Sequence, residues 1–144
     1  AEAIKNSNML FVIACGNGDS RGQGYNIDAD PVYPAALPFD NVISVASLFF
    51  DGNLDSSSNF GTFSVDLAAP GGGYAFMSGT SMAAPMVTGV AAMVYSYRTD
   101  LTLTGLKQVL IGSARPLESL QGKTVSGGIV DAHAALNYGL TFSQ

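Results

Sequence analysis

Histidine occurs once in these 144 residues, cysteine once and tryptophan not at all. The lone Cys15 excludes an internal disulfide and any cysteine-cluster metal site. Charge is scarce: 12% of residues are Asp, Glu, Lys or Arg, roughly half the usual share. Six basic residues stand against eleven acidic ones, a net charge of -5. No basic stripe is there to meet phosphates, so a nucleic-acid partner is excluded. No apolar run reaches the ~18–20 residues that span a bilayer, so neither a transmembrane helix nor a membrane partner is expected. The chain opens on Ala1 without a signal-peptide pattern, and any export signal is expected upstream.

Apolar residues make up 47%. Such a chain fills a core but has little charge to cover a surface. That suits a weakly charged extracellular domain, or the interior part of something larger. The length fits one domain, and no repeat or linker divides it.

The stretch around which the rest is organised runs from Ser78 to Val94. It starts as a small polar turn and continues without charge. Gly79 supplies backbone freedom in the turn, and Thr80 or Ser81 is placed to cap the following helix. Pro85 is expected in the first turn, where helix N–H groups lack internal partners. From Val87 onward the residues are apolar or small on every side, which predicts a helix buried all round. Ser81 then sits at the positive end of that helix, where backbone N–H groups and the dipole would meet an oxyanion. A capping serine is the plainer reading of Gly-Thr-Ser alone.

Upstream, Ala1 to Ser7 reads as the end of a helix. Met9 to Ala14 is a short continuous apolar run, predicted as a buried parallel strand. It ends at Cys15-Gly16-Asn17-Gly18, at the strand edge where α/β folds bind ligands. Asn17-Gly18 is by itself a common turn pair. The polar loop Asp19 to Pro31 carries Asp28 and Asp30, alternating oxygens of a kind that suits calcium, although solvated loop carboxylates are the plainer reading. Strands are predicted over Val42–Ser47, Ser64–Ala69 and Gly127–Asp131. Tyr74 to Met77 reads as a hairpin delivering Ser81. Gly71-Gly72-Gly73 is no phosphate loop, because no Lys-Ser/Thr pair follows. Helices are predicted from Thr102 to Ser113, on the spacing of Leu103, Leu106, Val109 and Leu110, and from Ala132 to Tyr138 with Asp131 as cap.

Three of these stretches together resemble the subtilisin-like serine proteases (subtilases). They are Gly79-Thr80-Ser81-Met82-Ala83-Ala84-Pro85 with Val87-x-Gly89-Val90-Ala91-Ala92 behind it, Ala14-Cys15-Gly16-Asn17 closing an apolar strand, and Tyr33-Pro34-Ala35 after a long loop. The bend Ser56–Gly61 and the ending Gly127–Tyr138 extend the resemblance over nearly the whole chain. It departs at Met86, where the family usually has His, and at Cys15, where Ala is commoner.

The resemblance implies an α/β fold, a three-layer sandwich with a mostly parallel sheet, of which residues 1–144 are the C-terminal portion. It implies Ser81 as nucleophile, with the Asn17 side chain and the Ser81 N–H as oxyanion donors. Ala14, Cys15, Gly16, Val32 and Thr80 are implied as substrate-binding, with Val32 making the primary pocket shallow. The family's triad runs Asp, His, Ser, so the first two members are expected upstream of Ala1. His133 falls in the last helix and Asp66 in a later strand, and neither is expected to serve. The implied protein is a secreted or cell-surface serine endopeptidase acting on polypeptides. Its chemistry needs no cofactor, and a structural calcium is implied near Tyr33-Pro34. The chain alone is expected to be inactive without its upstream half and to self-associate through apolar edges. The alternative is a non-catalytic binding or structural module, against which Asn17 and Ser81 together argue.

Overall fold

Short apolar runs pair side by side in a computed structural model that describes residues 1–72 and 78–139. Strands β1 (Phe11–Ala14), β2 (Val42–Leu48) and β3 (Leu67–Pro70) are parallel neighbours. Phe11 stands opposite Val42 and Val45 opposite Leu67. A two-residue strand β4 (Arg115–Pro116) and a last strand β5 (Gly128–Ile129) complete the sheet in the order β1-β2-β3-β5-β4, with only the β4–β5 pair antiparallel. The helices are α1 (Glu2–Lys5), α2 (Thr80–Tyr97), α3 (Leu103–Gly112) and α4 (Ala132–Asn137), with one 3-10 turn at Glu118–Leu120. This is the mostly parallel α/β sheet expected from the sequence.

Strand periodicity divides the core in two. Ile43, Val45, Leu67 and Ala69 face the packed helices, where Ala83, Val87, Val94, Leu106 and Leu110 meet them. The alternate residues Ala46, Leu48 and Ala68 face the other way, against Ile27, Ala35 and Leu120 from the loops. Each buried Val or Leu removes enough apolar surface to stabilise by ~1.5–3 kcal/mol. Thr102 and Asp131 cap α3 and α4 through Gly105 N–H (3.0 Å) and Ala134 N–H (2.9 Å), matching the predicted starts.

Four expectations need correction. The long helix is not buried all round: Ala83, Val87, Ala91 and Val94 are buried, while Met86, Met93, Tyr95 and Tyr97 are exposed. Its whole-surface apolarity therefore does not report burial within this chain. Pro85 lies in the second turn of α2, not the first, because the helix begins at Thr80 after an N-cap at Gly79. The N–H that proline lacks is the one that would bond the Ser81 carbonyl. β1 is half-buried, because it forms the outer edge of the described sheet. Finally, β3 begins at Leu67 and not Ser64. The amides of Phe63 and Ser64 are drawn to the Asp28 carboxylate (3.2 and 2.8 Å), which holds that segment as a turn. The hairpin predicted over Tyr74 to Met77 lies outside the described residues.

Candidate active site

Two strand ends and one helix start converge. β1 runs out at Ala14, and the turn Cys15–Gly18 carries Asn17 into an exposed position. β3 runs out at Pro70, and Gly71 O accepts the N–H of Gly79 at 2.9 Å. That bond brings the start of α2 against the sheet. A Cβ on Gly71 would lie 1.9 Å from Ser47 Oγ and 2.6 Å from Gly79 O, so only glycine permits the approach.

Gly79 has φ 125 and ψ 178, a backbone shape reserved almost wholly for glycine. A Cβ there would also lie 2.9 Å from Asn17 Oδ1. The Asn17 carboxamide thus lies directly over the turn. Its Oδ1 accepts both donors of Thr80, the backbone N–H at 2.9 Å and the hydroxyl at 2.8 Å. Nδ2 lies beside the same turn, 3.2 Å from where a Gly79 Cβ would stand, and has no acceptor among the described residues.

Ser81, the next residue, is exposed in the first turn of α2. Its neighbours Met82 and Ala83 donate to Gly79 O at 2.9 and 3.3 Å. The Ser81 N–H has no acceptor among the described residues. An N–H without an acceptor among the described residues at a helix start, and a carboxamide bonded to the residue before Ser81, are donors of the kind that an oxyanion accepts.

The other implied binding residues divide by burial. Thr80 is fully buried and its donors are used by Asn17. Cys15 is fully buried, with its sulfur 3.0 Å from Asn59 O, its N–H given to Val45 O and its carbonyl accepting from Asn59 Nδ2. Burial pushes the Cys15 thiol up to about 12, too high for a reactive thiolate at neutral pH. Ala14 and Gly16 are half-buried along the strand end, and Val32 packs partly buried over the Cys15 cluster. The side chain of Val32 comes within 3.9 Å of where a Gly16 Cβ would stand.

The remaining polar candidates are placed elsewhere. His133 is exposed on α4, with its carbonyl accepting from Asn137 Nδ2. Asp66 is buried, 3.2 Å from Lys107 Nζ, and accepts the Ser44 N–H at 2.9 Å. Burial pushes its carboxyl up, against the opposing pull of Lys107. Asp28 is occupied by the Phe63 and Ser64 amides, while Asp30 is exposed. Among the described residues no three His, Cys, Asp or Glu side chains gather as a metal site. A residue that sequence reasoning passed over is Asn59, read only as part of a Ser-rich bend. It is fully buried and bonded to the turn that carries Asn17. Its one available signal was an amide followed by Phe60-Gly61 in an otherwise Ser-rich stretch.

The profile of the Subtilase family matches residues 1–137. The extracellular basic protease of Dichelobacter nodosus is 34% identical over 152 residues, which is 92% of this chain and 24% of that protein. Subtilisin-like protease 2 of Plasmodium falciparum is 34% identical over 146 residues, covering 92% of this chain and 10% of its own length. Among solved structures, the subtilase cytotoxin SubAB superposes with a TM-score of 0.75 at 29% identity, over 94% of this chain and 50% of that one. MycP1 of the ESX-1 type VII secretion system superposes with a TM-score of 0.75 at 26% identity, over 93% and 43%. The chain therefore spans about half of these solved chains and a quarter or less of these curated relatives.

Proposed function

Because this chain belongs to the subtilase family, we propose that it is the nucleophile-bearing portion of a serine endopeptidase, competent only with an upstream half. The observation that carries the reading is the Asn17 carboxamide, held through Oδ1 by both donors of Thr80, the residue before Ser81. A serine hydroxyl is a weak nucleophile until a base takes its proton. The one imidazole of this chain, His133, lies on α4 with its backbone capping interaction to Asn137. The base and its orienting acid therefore come from the upstream segment.

In the complete domain, Ser81 Oγ attacks the peptide carbonyl while the upstream imidazole takes its proton. The oxyanion accepts from Asn17 Nδ2 and Ser81 N–H. The same imidazole protonates the leaving amine, and water then releases the acyl group by the reverse sequence. Both donors are set before the charge forms, so no reorganisation is needed when it does. Losing such an amide donor is known from a subtilisin to cost on the order of 10²–10³ in kcat. Polypeptides are the substrates, entering along the Ala14–Gly16 strand end with Val32 limiting pocket depth. Secretion or surface display is supported by the extracellular relative in Dichelobacter nodosus.

Fluorophosphonate labelling read by mass spectrometry tests this, with Ser81→Ala as control. The 144-residue chain alone should stay unlabelled, and the chain rejoined to its upstream segment should label at Ser81. Label on Ser81 in the isolated chain would place a base inside it and overturn the account.

A further inference from the structure

Thr80 holds the side chain of Asn17 but not its backbone. Something else must fix the turn Gly16-Asn17-Gly18, whose flanking glycines have φ +105 and +84. One other residue, Asn59, contacts both sides of it. Asn59 is 1% exposed. Its Oδ1 accepts the N–H of Gly18 at 3.1 Å and of Tyr25 at 3.2 Å, and its Nδ2 donates to Cys15 O at 3.1 Å. Its backbone N–H donates to Gly16 O at 2.9 Å, and its carbonyl accepts from Cys15 Sγ at 3.0 Å. Residues 15, 16 and 18 are all bonded, and Asn17 between them is left untouched.

Asn59 is itself tied to the sheet. Ser58 Oγ donates to Asn59 O at 2.9 Å and accepts the Ser47 N–H of β2, also at 2.9 Å. A continuous hydrogen-bonded path thus runs from the second strand, through Ser58 and Asn59, to the two peptides that flank Asn17. Few side chains fit this place. It requires an acceptor for two converging N–H groups and a donor for one carbonyl on the same planar head, which only a carboxamide supplies. The fit is close: a Cβ on Gly16 would come within 2.6 Å of Asn59 Nδ2.

We infer that Asn59 is a positioning residue for catalysis, the strut that sets where the Asn17 amide stands relative to Ser81. This rests on Asn17 being the oxyanion donor. A donor aimed at developing charge must be held to a fraction of an ångström, and a misplacement near 1 Å costs about 10²-fold in rate. Asn59 touches no substrate in this scheme and acts only through Asn17.

The test is a double-mutant cycle in the complete peptidase domain, scored by kcat on a short peptide ester. Asn59→Ala removes all three side-chain bonds, and Asn59→Asp keeps the acceptor but sets a carboxylate oxygen against the Cys15 carbonyl. Each is expected to lower kcat by about 10²-fold with Asn17 present, and to add little once Asn17 is already alanine. Losses that multiply in full would show Asn59 acting independently of Asn17 and would overturn the inference. Asn17→Ala with unchanged kcat would instead sink the oxyanion reading itself. Hydrogen exchange in the unmutated protein decides the matter if the variants do not fold. Slow exchange at both Gly18 and Tyr25 N–H supports the strut, and exchange at free-loop rates overturns it.

Discussion

At the residue scale, Gly79 has the least latitude. Its φ of 125 and the 2.9 Å from a Cβ to Asn17 Oδ1 act together. Backbone strain alone costs on the order of 1–3 kcal/mol for a residue forced into that region. Gly79→Ala is expected to lower the midpoint of thermal unfolding by that amount in free energy. It should also abolish fluorophosphonate labelling of the complete domain, because the new methyl displaces the amide. Full labelling with a reduced melting temperature would separate the strain from the site. Met86, where the family usually has His, is exposed on α2.

At the element scale, Asp66 joins three pieces. It precedes β3, accepts from Ser44 of β2 and pairs with Lys107 of α3, whose ammonium also donates to Phe39 O and Val42 O. Asp66→Asn keeps an oxygen for Ser44 and leaves the ammonium without its counter-charge. Breaking a fully buried pair costs ~3–5 kcal/mol, and the two carbonyls left to Lys107 bring the expected loss down to about 2 kcal/mol. Chemical denaturation measures it, and an unchanged midpoint would show the pair to be ornamental. Asp28 holds the turn before β3. Burial, the largest single cause, pushes its carboxyl up, and the bonds from Ser64, Phe63 and Thr62 together outweigh it, so it lies below the ordinary 3.8. A carboxylate lowered in the folded state binds fewer protons there than in the unfolded chain. Its contribution is present above pH 3.8 and lost as the pH falls below that value. Asp28→Ala should therefore flatten the acid limb of stability against pH, and an unaltered limb would contradict it.

At the scale of the whole molecule, the unpartnered features lie together. β1 is the sheet edge, and beside it an open groove of about 380 Å³ is lined by Met9, Leu10, Val12, Ala91, Tyr95 and Leu103. The exposed face of α2 continues it with Met93. A free parallel edge beside apolar side chains templates association. The 144-residue chain is expected to sediment as oligomers, and to become monomeric when its upstream segment is supplied. A stable monomer of the isolated chain would show that these surfaces tolerate water.

Much of this was legible one residue after another. The parallel α/β sheet, both capped helices, the place of Ser81 at the start of α2 and the turn at Asn17 follow from apolar runs, cap residues and a motif whose members are adjacent in sequence. Adjacent residues share local backbone geometry, so pattern alone conveys it. The sequence also showed a single histidine, placed in the last helix and far along the chain from Ser81. What only the tertiary structure decided involves partners far apart along the chain. Asn17 is oriented by Thr80 and its turn by Asn59, across 63 and 41–44 positions. The uncovered face of α2 depends on which elements pack against it, and periodicity records only that a face is apolar. Pro85 moved to the second turn because the helix start was set by the Gly71–Gly79 bond. Hydrogen bonds and packing between distant segments leave no periodic trace, and a position such as Asn59 shows its role only once the chain has folded around it.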